Sequence, residues 1–206
     1  MLKILGRVTS INVRKVLWTA DELGLAYERE DWGLPIRNPR VPEFLALNPN
    51  GLVPVMIDDG FVLWESNPIL RYLAVEANGA ARLIPGDRQE RALADQWLDW
   101  QQTELVPAWA YAYRALGRKL PGYDDKAQIE TSIEHWTARM EILEKQLAGS
   151  QYVAGSFSLA DIALGVAVHR WFSTSFERPA LPNVEGYYNR LKRRPAAAAH
   201  LTEKTP

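Results

Sequence analysis

The sequence predicts an α/β domain of order βαβ-α-ββα followed by an all-α domain, and three observations carry that reading. Up to Asn78 the chain alternates short strand-like runs with stretches of helical spacing. From Asn78 to Asp87 a Gly- and Pro-containing stretch breaks the periodicity. From Arg88 onward apolar residues recur only at helical intervals. The expected organisation is therefore a first domain over residues 1–78, a linker over 79–87 and a helical domain over 88–206.

Each element of the first domain has a local cause. Lys3 to Arg7 reads as a strand, and Val8 to Asn12 as the loop after it. Val13, Val16, Leu17, Ala20 and Leu23 keep helical spacing, and Gly24 stops that helix. Leu25 to Glu30 supplies a second strand. Strand, helix and strand in that order imply a parallel pair and a right-handed crossover. Trp32 to Arg40 is an irregular Pro-containing loop, followed by a short helix over 41–47. Asn48-Pro49-Asn50-Gly51 is a turn signal. Val53 to Ile57 and Phe61 to Trp64 flank Asp58-Asp59-Gly60 as a hairpin, and Ser66, with Pro68 behind it, opens a third helix. The pattern is a thioredoxin-like arrangement.

In the second domain Asp87 is placed to cap a helix from Arg88 to about Leu116, bent or interrupted at Pro107. Its apolar positions are Leu93, Trp97, Leu98, Trp100, Leu105, Trp109 and Tyr113. A second long helix runs from Asp124 to Ala148, with Ile129, Ile133, Trp136, Met140, Leu143 and Leu147 along one face. Ser158-Leu159-Ala160-Asp161 is a capping-box pattern, and the helix it opens is apolar almost all round, so Asp161 is read as structural. Leu181-Pro182-Asn183-Val184 begins a last helix that ends before Pro195, and the tail from Ala196 is expected to be loosely held.

Composition narrows the chemistry. A hydrophobic content of 47%, a charged content of 24% and a net charge of -1 describe a globular chain without a nucleic-acid or anionic-membrane surface. No run of eighteen apolar residues exists, and the N-terminal residues are too strand-like for a signal peptide, so the cytoplasm is the expected location. With 0 cysteines there is no disulfide, thiolate metal site or cysteine nucleophile, which excludes thioredoxin chemistry despite the arrangement of elements. Any reacting thiol comes from outside the chain. The 3 histidines show no metal-ligand spacing.

Three positions point to a ligand. Pro54 stands at a strand start, where it cannot donate a ladder hydrogen bond. A cis Val53-Pro54 bond would turn the Val53 main chain outward to pair with an extended peptide. Glu65-Ser66 stands at a helix start, whose free N–H groups and dipole attract a carboxylate. The same residues also read as a tight hairpin and an ordinary cap. Ser10 precedes the first helix, where a hydroxyl and the helix dipole favour a bound thiolate. Thr9, Ser10 and Asn12 are equally ordinary N-cap types.

NPNGLVPV followed by WESNPILRYL resembles the glutathione-site half of the cytosolic glutathione transferases. Gly6-Arg7-x-x-Ser10-x-Asn12-Val13-Arg14-Lys15-Val16-Leu17-Trp18 is similar to the opening of bacterial members near the serine-type (theta, delta and nu-like) classes. Phe157 to Ile162 resembles the start of the family's buried helix, so the likeness spans the chain. The resemblance implies glutathione as co-substrate, no metal, a small electrophilic second substrate and a homodimer. It implies Ser10 as the activating hydroxyl, with Asn12 contacting the thiol and Thr9 as an alternative. It implies that Val53, beside Pro54, pairs with the cysteinyl main chain, and that Glu65 and Ser66 hold the γ-glutamyl carboxylate. Arg37, with Arg40 and Asn38 nearby, falls where the family binds the glycyl carboxylate, and equally reads as a solvated loop arginine. Trp109, Tyr111, Tyr113 and Arg114 are candidates for lining the electrophile pocket, and each reads also as core or dimer packing. Two rivals use the same scaffold: glutathione-linked disulfide reduction or dehalogenation, and a non-catalytic binding module.

Overall fold

The computed structural model describes residues 1–76 and 83–202. Residues 79–82 of the expected linker lie outside the described residues. The chain forms two compact units, Met1–Ile84 with the described tail from Ala196, and Pro85–Pro195.

The first unit contains β1 (Leu2–Leu5), α1 (Ile11–Glu22), β2 (Glu28–Glu30), α2 (Pro42–Leu45), β3 (Val55–Asp58), β4 (Phe61–Trp64) and α3 (Ser66–Glu76). The sheet order is β2-β1-β3-β4. β1 runs parallel to β2 and antiparallel to β3, and β3 runs antiparallel to β4. This is the thioredoxin-like order the sequence predicts. Period-2 alternation gives the sheet two buried faces. Leu5 and Val55, opposite each other in register, pack with Trp32 and Phe44. The Trp32 and Phe44 rings lie 4.7 Å apart. Ile4 and Met56 fall on the other face, fully buried, as do Val13, Val16 and Leu17 of α1 and Ile69, Leu70 and Leu73 of α3. The strands are shorter than the apolar runs suggest: β2 starts at Glu28 rather than Leu25, and β3 at Val55 rather than Val53.

The tail corrects an expectation. A 3₁₀ turn at Pro195–Ala197 leads into buried His200 and Leu201. Arg14 Nη1 donates to the His200 carbonyl at 3.1 Å, and His200 Nε2 lies 2.6 Å from Asp21 Oδ2. An alanine-rich stretch carries no hydrophobic pattern, but the His-Leu pair after it anchors the segment to α1. Burial lowers the His200 pKa below 6.5, and Asp21 offsets part of that effect. A depressed folded-state pKa stabilises above the unfolded value and loses that contribution as pH falls through the folded one. The difference in melting temperature between the protein and His200→Ala should therefore shrink on acidification from pH 7 to 5. A thermal-unfolding series over that range measures it, and a difference that grows instead contradicts this role.

The second unit contains α4 (Arg88–Trp100), α5 (Val106–Ala112), α6 (Lys126–Gln146), α7 (Leu159–Ser173) and α8 (Pro182–Lys192). Asp87 caps α4, accepting from the N–H groups of Gln89 and Glu90 at 2.8 and 3.0 Å. Two π-helical turns, Gln101–Leu105 and Tyr113–Gly117, flank α5. The single helix expected over 88–116 is thus one helical run with two widened turns. Pro107 has no N–H to give, and a π turn just upstream of it absorbs the mismatch. α7 is buried from Leu159 to Trp171 and is the axis of this unit. Trp109, Trp136, Trp171 and Phe176 form a chain of ring contacts with centroids 4.9 to 5.5 Å apart. Among the described residues no helix is long and apolar enough to cross a membrane.

Candidate functional site

The sheet register gathers the candidate residues. Leu5 at the end of β1 pairs with Glu30 at the end of β2 and with Val55 at the start of β3, and Val55 pairs with Trp64 at the end of β4. The Gly6-to-Ser10 turn, the Trp32-to-Arg37 loop, Val53-Pro54 and Glu65-Ser66 therefore leave the sheet at one end. With strands about 4.8 Å apart, four of them span about 15 Å, and an extended tripeptide is about 10 Å long. Gly6 closes the packing here. A side chain on it would sit 2.4 Å from Val13 Cγ2 and 3.3 Å from Val53 Cβ, so this glycine lets the two loops meet.

The Val53-Pro54 peptide is cis, as the sequence reading supposed. Val53 lies ahead of β3, outside the paired registers, and its N–H and C=O have no partner among the described residues. That is the free edge an extended peptide needs.

Glu65 stands before α3 with φ 71°, a left-handed conformation rare for a residue with a side chain, and its carbonyl accepts from the Ile69 N–H at 3.1 Å. Such an outlier costs on the order of 1 kcal/mol and is found at ligand-binding turns. Ser66 is buried at the first helical position. Neither α1 nor α3 has an acidic residue in its first turn, so no side chain of the first turn competes for either positive helix end.

Ser10 is the N-cap residue of α1. Its carbonyl accepts from the Arg14 N–H at 3.0 Å, but its hydroxyl makes no capping bond. A serine that declines the usual N-cap bond keeps its hydroxyl for another partner. Asn12 Oδ1 is buried without a hydrogen-bond partner among the described residues, a state that buried amides rarely hold without a ligand or water. The Thr9 hydroxyl accepts from Arg7 Nη1 at 2.9 Å.

Arg37 lies over the Trp32 ring, with its Cζ 3.5 Å from the centroid, and 3.8 Å from Glu30. A turn in which the Gly33 N–H donates to the Arg37 carbonyl at 2.8 Å fixes its backbone. Glu30 is held below the usual carboxylate range, first by the hydrogen bond from Lys3 and then by that from Trp32. Arg40 is exposed, and its N–H donates to Asn38 Oδ1 at 3.0 Å.

The four pocket candidates are placed differently from one another. Trp109 packs on Trp136, and Tyr113 lies under the Arg170 guanidinium with its centroid 3.8 Å away, so both are buried within the helical unit. Tyr111 lines an open cleft of about 340 Å³ with Pro107, Gln128, Thr131 and His135. Arg114 is exposed near Tyr123.

Sequence reasoning missed Lys15. It is fully buried, and its ammonium donates to Asn67 Oδ1 at 2.9 Å, tying α1 to the start of α3. In a 3.6-residue period Lys15 falls opposite Val13, Val16 and Leu17, so the pattern leaves it in solvent.

Comparison with known proteins agrees with this geometry. The family model described as Glutathione S-transferase, N-terminal domain, matches residues 9–76, and that described as Glutathione S-transferase, C-terminal domain, matches residues 126–190. The glutathione S-transferase GstB of Escherichia coli K12 is 37% identical over 199 residues, 95% of each chain. Glutathione S-transferase 4 of Zea mays is 32% identical over 202 residues, 95% of this chain and 90% of that one. The theta class glutathione S-transferase of Xanthomonas axonopodis pv. citri, solved with glutathione bound, superposes with a TM-score of 0.92 at 37% identity, covering 98% of this chain and 97% of that one. With one end of a thioredoxin-like sheet bearing a cis-proline turn, two open helix N-termini and an unengaged serine hydroxyl, and with relatives alike over nearly their whole length, the chain belongs to the glutathione S-transferase family.

Proposed function

We propose that the chain binds glutathione along the open end of the sheet and activates its thiol for attack on an electrophilic carbon. The observation that carries this reading is the register that brings Ser10, Val53 and Ser66 out at the same end of the sheet. Val53 pairs with the cysteinyl main chain. The γ-glutamyl carboxylate sits at the start of α3, against Ser66 and the N–H groups there. The sulfur then lies beside Ser10 at the start of α1, with Asn12 next to it, and Arg37 faces the glycyl end.

The thiol proton leaves to solvent, and Ser10 donates to the thiolate that remains. The sulfur lone pair forms the new S–C bond as the leaving group departs with its electron pair. Positioning and anion stabilisation supply the acceleration. The protein works as a homodimer in the cytoplasm on a small apolar electrophile, and the helical unit, Pro85–Pro195, supplies that electrophile's pocket.

Saturable conjugation of glutathione to an aryl halide tests the reading, run beside disulfide and dehalogenation assays. Conjugation is the expected activity. Glutathione binding without turnover in any assay marks a binding module, and no binding removes the proposal. Ser66→Ala should weaken glutathione binding about tenfold, the usual worth of one hydrogen bond to a charged group, with kcat within about twofold. Calorimetric titration and steady-state kinetics read the two effects. Unchanged affinity would move the carboxylate elsewhere.

A further inference from the structure

We infer that Arg7 is a positioning residue for the thiol seat: its guanidinium holds the Thr9 hydroxyl as a second donor beside Ser10 and favours the anionic form of the bound thiol. The inference deepens the proposed function and rests on Ser10 marking where the sulfur sits.

Arg7 is fixed at both ends of its peptide. Its N–H donates to the Trp32 carbonyl at 2.9 Å, and its carbonyl accepts from the Ser10 N–H at 3.1 Å. The backbone of the residue whose hydroxyl faces the ligand thus hangs on the backbone of Arg7. The half-buried side chain then crosses to the neighbouring loop. A Cβ on Gly33 would lie 3.2 Å from both Arg7 Cδ and Nε, so the guanidinium stem runs over a position that glycine, at φ 109°, keeps bare. From there Nη1 reaches Thr9 Oγ1 at 2.9 Å.

Two consequences follow from that bond. A hydroxyl that accepts from a guanidinium has its own proton turned away and free to donate. Thr9 then becomes a partner of Ser10 rather than a substitute for it. The guanidinium is also charged at every working pH. A permanent cation beside a half-buried thiol lowers that thiol's pKa by a unit or more from its ordinary value of about 8.5. The charged groups at the end of β2 and in the loop after it pair with one another. Arg29 pairs with Asp31, and Glu30 pairs with Lys3 and Arg37. No step beyond ionisation is involved: the S–H proton passes to solvent.

The test is the pH titration of thiolate ultraviolet absorbance in protein saturated with glutathione. The wild-type midpoint should lie below that of free glutathione. Arg7→Gln should raise it by about one unit, Arg7→Lys should recover at least half of the loss, and Thr9→Val should raise it by about half a unit. Glutathione affinity in all three should stay within about threefold of wild type, since the interaction concerns the sulfur alone. An Arg7→Gln midpoint equal to the wild type overturns the inference and leaves the proposed function standing. So does a midpoint that moves only in step with lost affinity, without rescue by lysine. Should Arg7→Gln fail to fold, the contrast between Arg7→Lys and Thr9→Val decides, and equal midpoints overturn it. A wild type that does not bind glutathione, or binds it without a lowered midpoint, removes the thiol seat itself and this inference with it.

Discussion

Ser10→Ala is expected to lower kcat for conjugation of glutathione to an aryl halide by about 10²-fold while changing the KM for glutathione less than about threefold. Removing one preorganised donor from a developing or resident anion commonly costs 10² to 10³ in rate. The hydroxyl of Ser10 is available for that work because it makes no capping bond to α1. Affinity should hold, since in the proposed binding mode the peptide main chain and both carboxylates are gripped elsewhere, at Val53, Ser66 and Arg37. Asn12→Ala and Thr9→Ala are expected to cost less, about tenfold or below. Steady-state kinetics on the three variants discriminate the roles. Full turnover in Ser10→Ala together with its loss in Asn12→Ala or Thr9→Ala would reassign the thiolate contact.

Asp161→Ala is expected to destabilise the protein by about 3 to 5 kcal/mol, a drop of about 10 °C in melting temperature for a chain of this size. The Asp161 carboxylate is fully buried and accepts from the Val153 N–H at 3.1 Å, the Ser158 N–H at 2.9 Å, the Ser158 hydroxyl at 3.2 Å and the Tyr187 hydroxyl at 3.0 Å. Deleting it leaves at least three buried donors unpaired, each worth about 1 to 3 kcal/mol. Burial, against the pull of those hydrogen bonds, raises its pKa from 3.8 to about 6. A raised folded-state pKa means that the folded chain binds more protons than the unfolded chain between those values. Stability from this group is therefore full below pH 3.8 and declines as pH rises through 6, by about 3 kcal/mol in all. Asp161→Asn keeps the shape and cannot ionise, so the stability difference between it and the wild type should change along that slope. Denaturant unfolding at pH 4, 5, 6 and 7 measures it. A difference that stays flat over the series contradicts the assignment.

The parts of the fold that single residues dictate were readable in the sequence. Ser158 and Asp161 three apart and Asp87 before a charged helix form the caps their spacing predicts, and the Val53-Pro54 bond takes the cis form that was one of two readings. What escaped was set by neighbours distant in sequence. Leu93 fits the helical spacing but is exposed, while Ala94 beside it is buried. Lys15 is polar by type and buried by contact with Asn67, 52 residues away. The π turns around α5 shift its period by one residue at each end, which no propensity announces.

The candidate site divides the same way. Val53, Ser66 and Ser10 were legible because each stands at an element boundary with a backbone consequence. The stacking of Arg37 on Trp32 and the bond from Arg7 to Thr9 were not, because both depend on side-chain directions that only the packed loops define.

The most direct measurement is a crystal structure of the protein grown with glutathione. The account predicts the cysteinyl N–H and C=O bonded to the Val53 main chain, the γ-glutamyl carboxylate within hydrogen-bond reach of Ser66, and the sulfur about 3 Å from Ser10 Oγ. Glutathione bound away from this end of the sheet, or seated here with its sulfur turned from the α1 N-terminus, would contradict it.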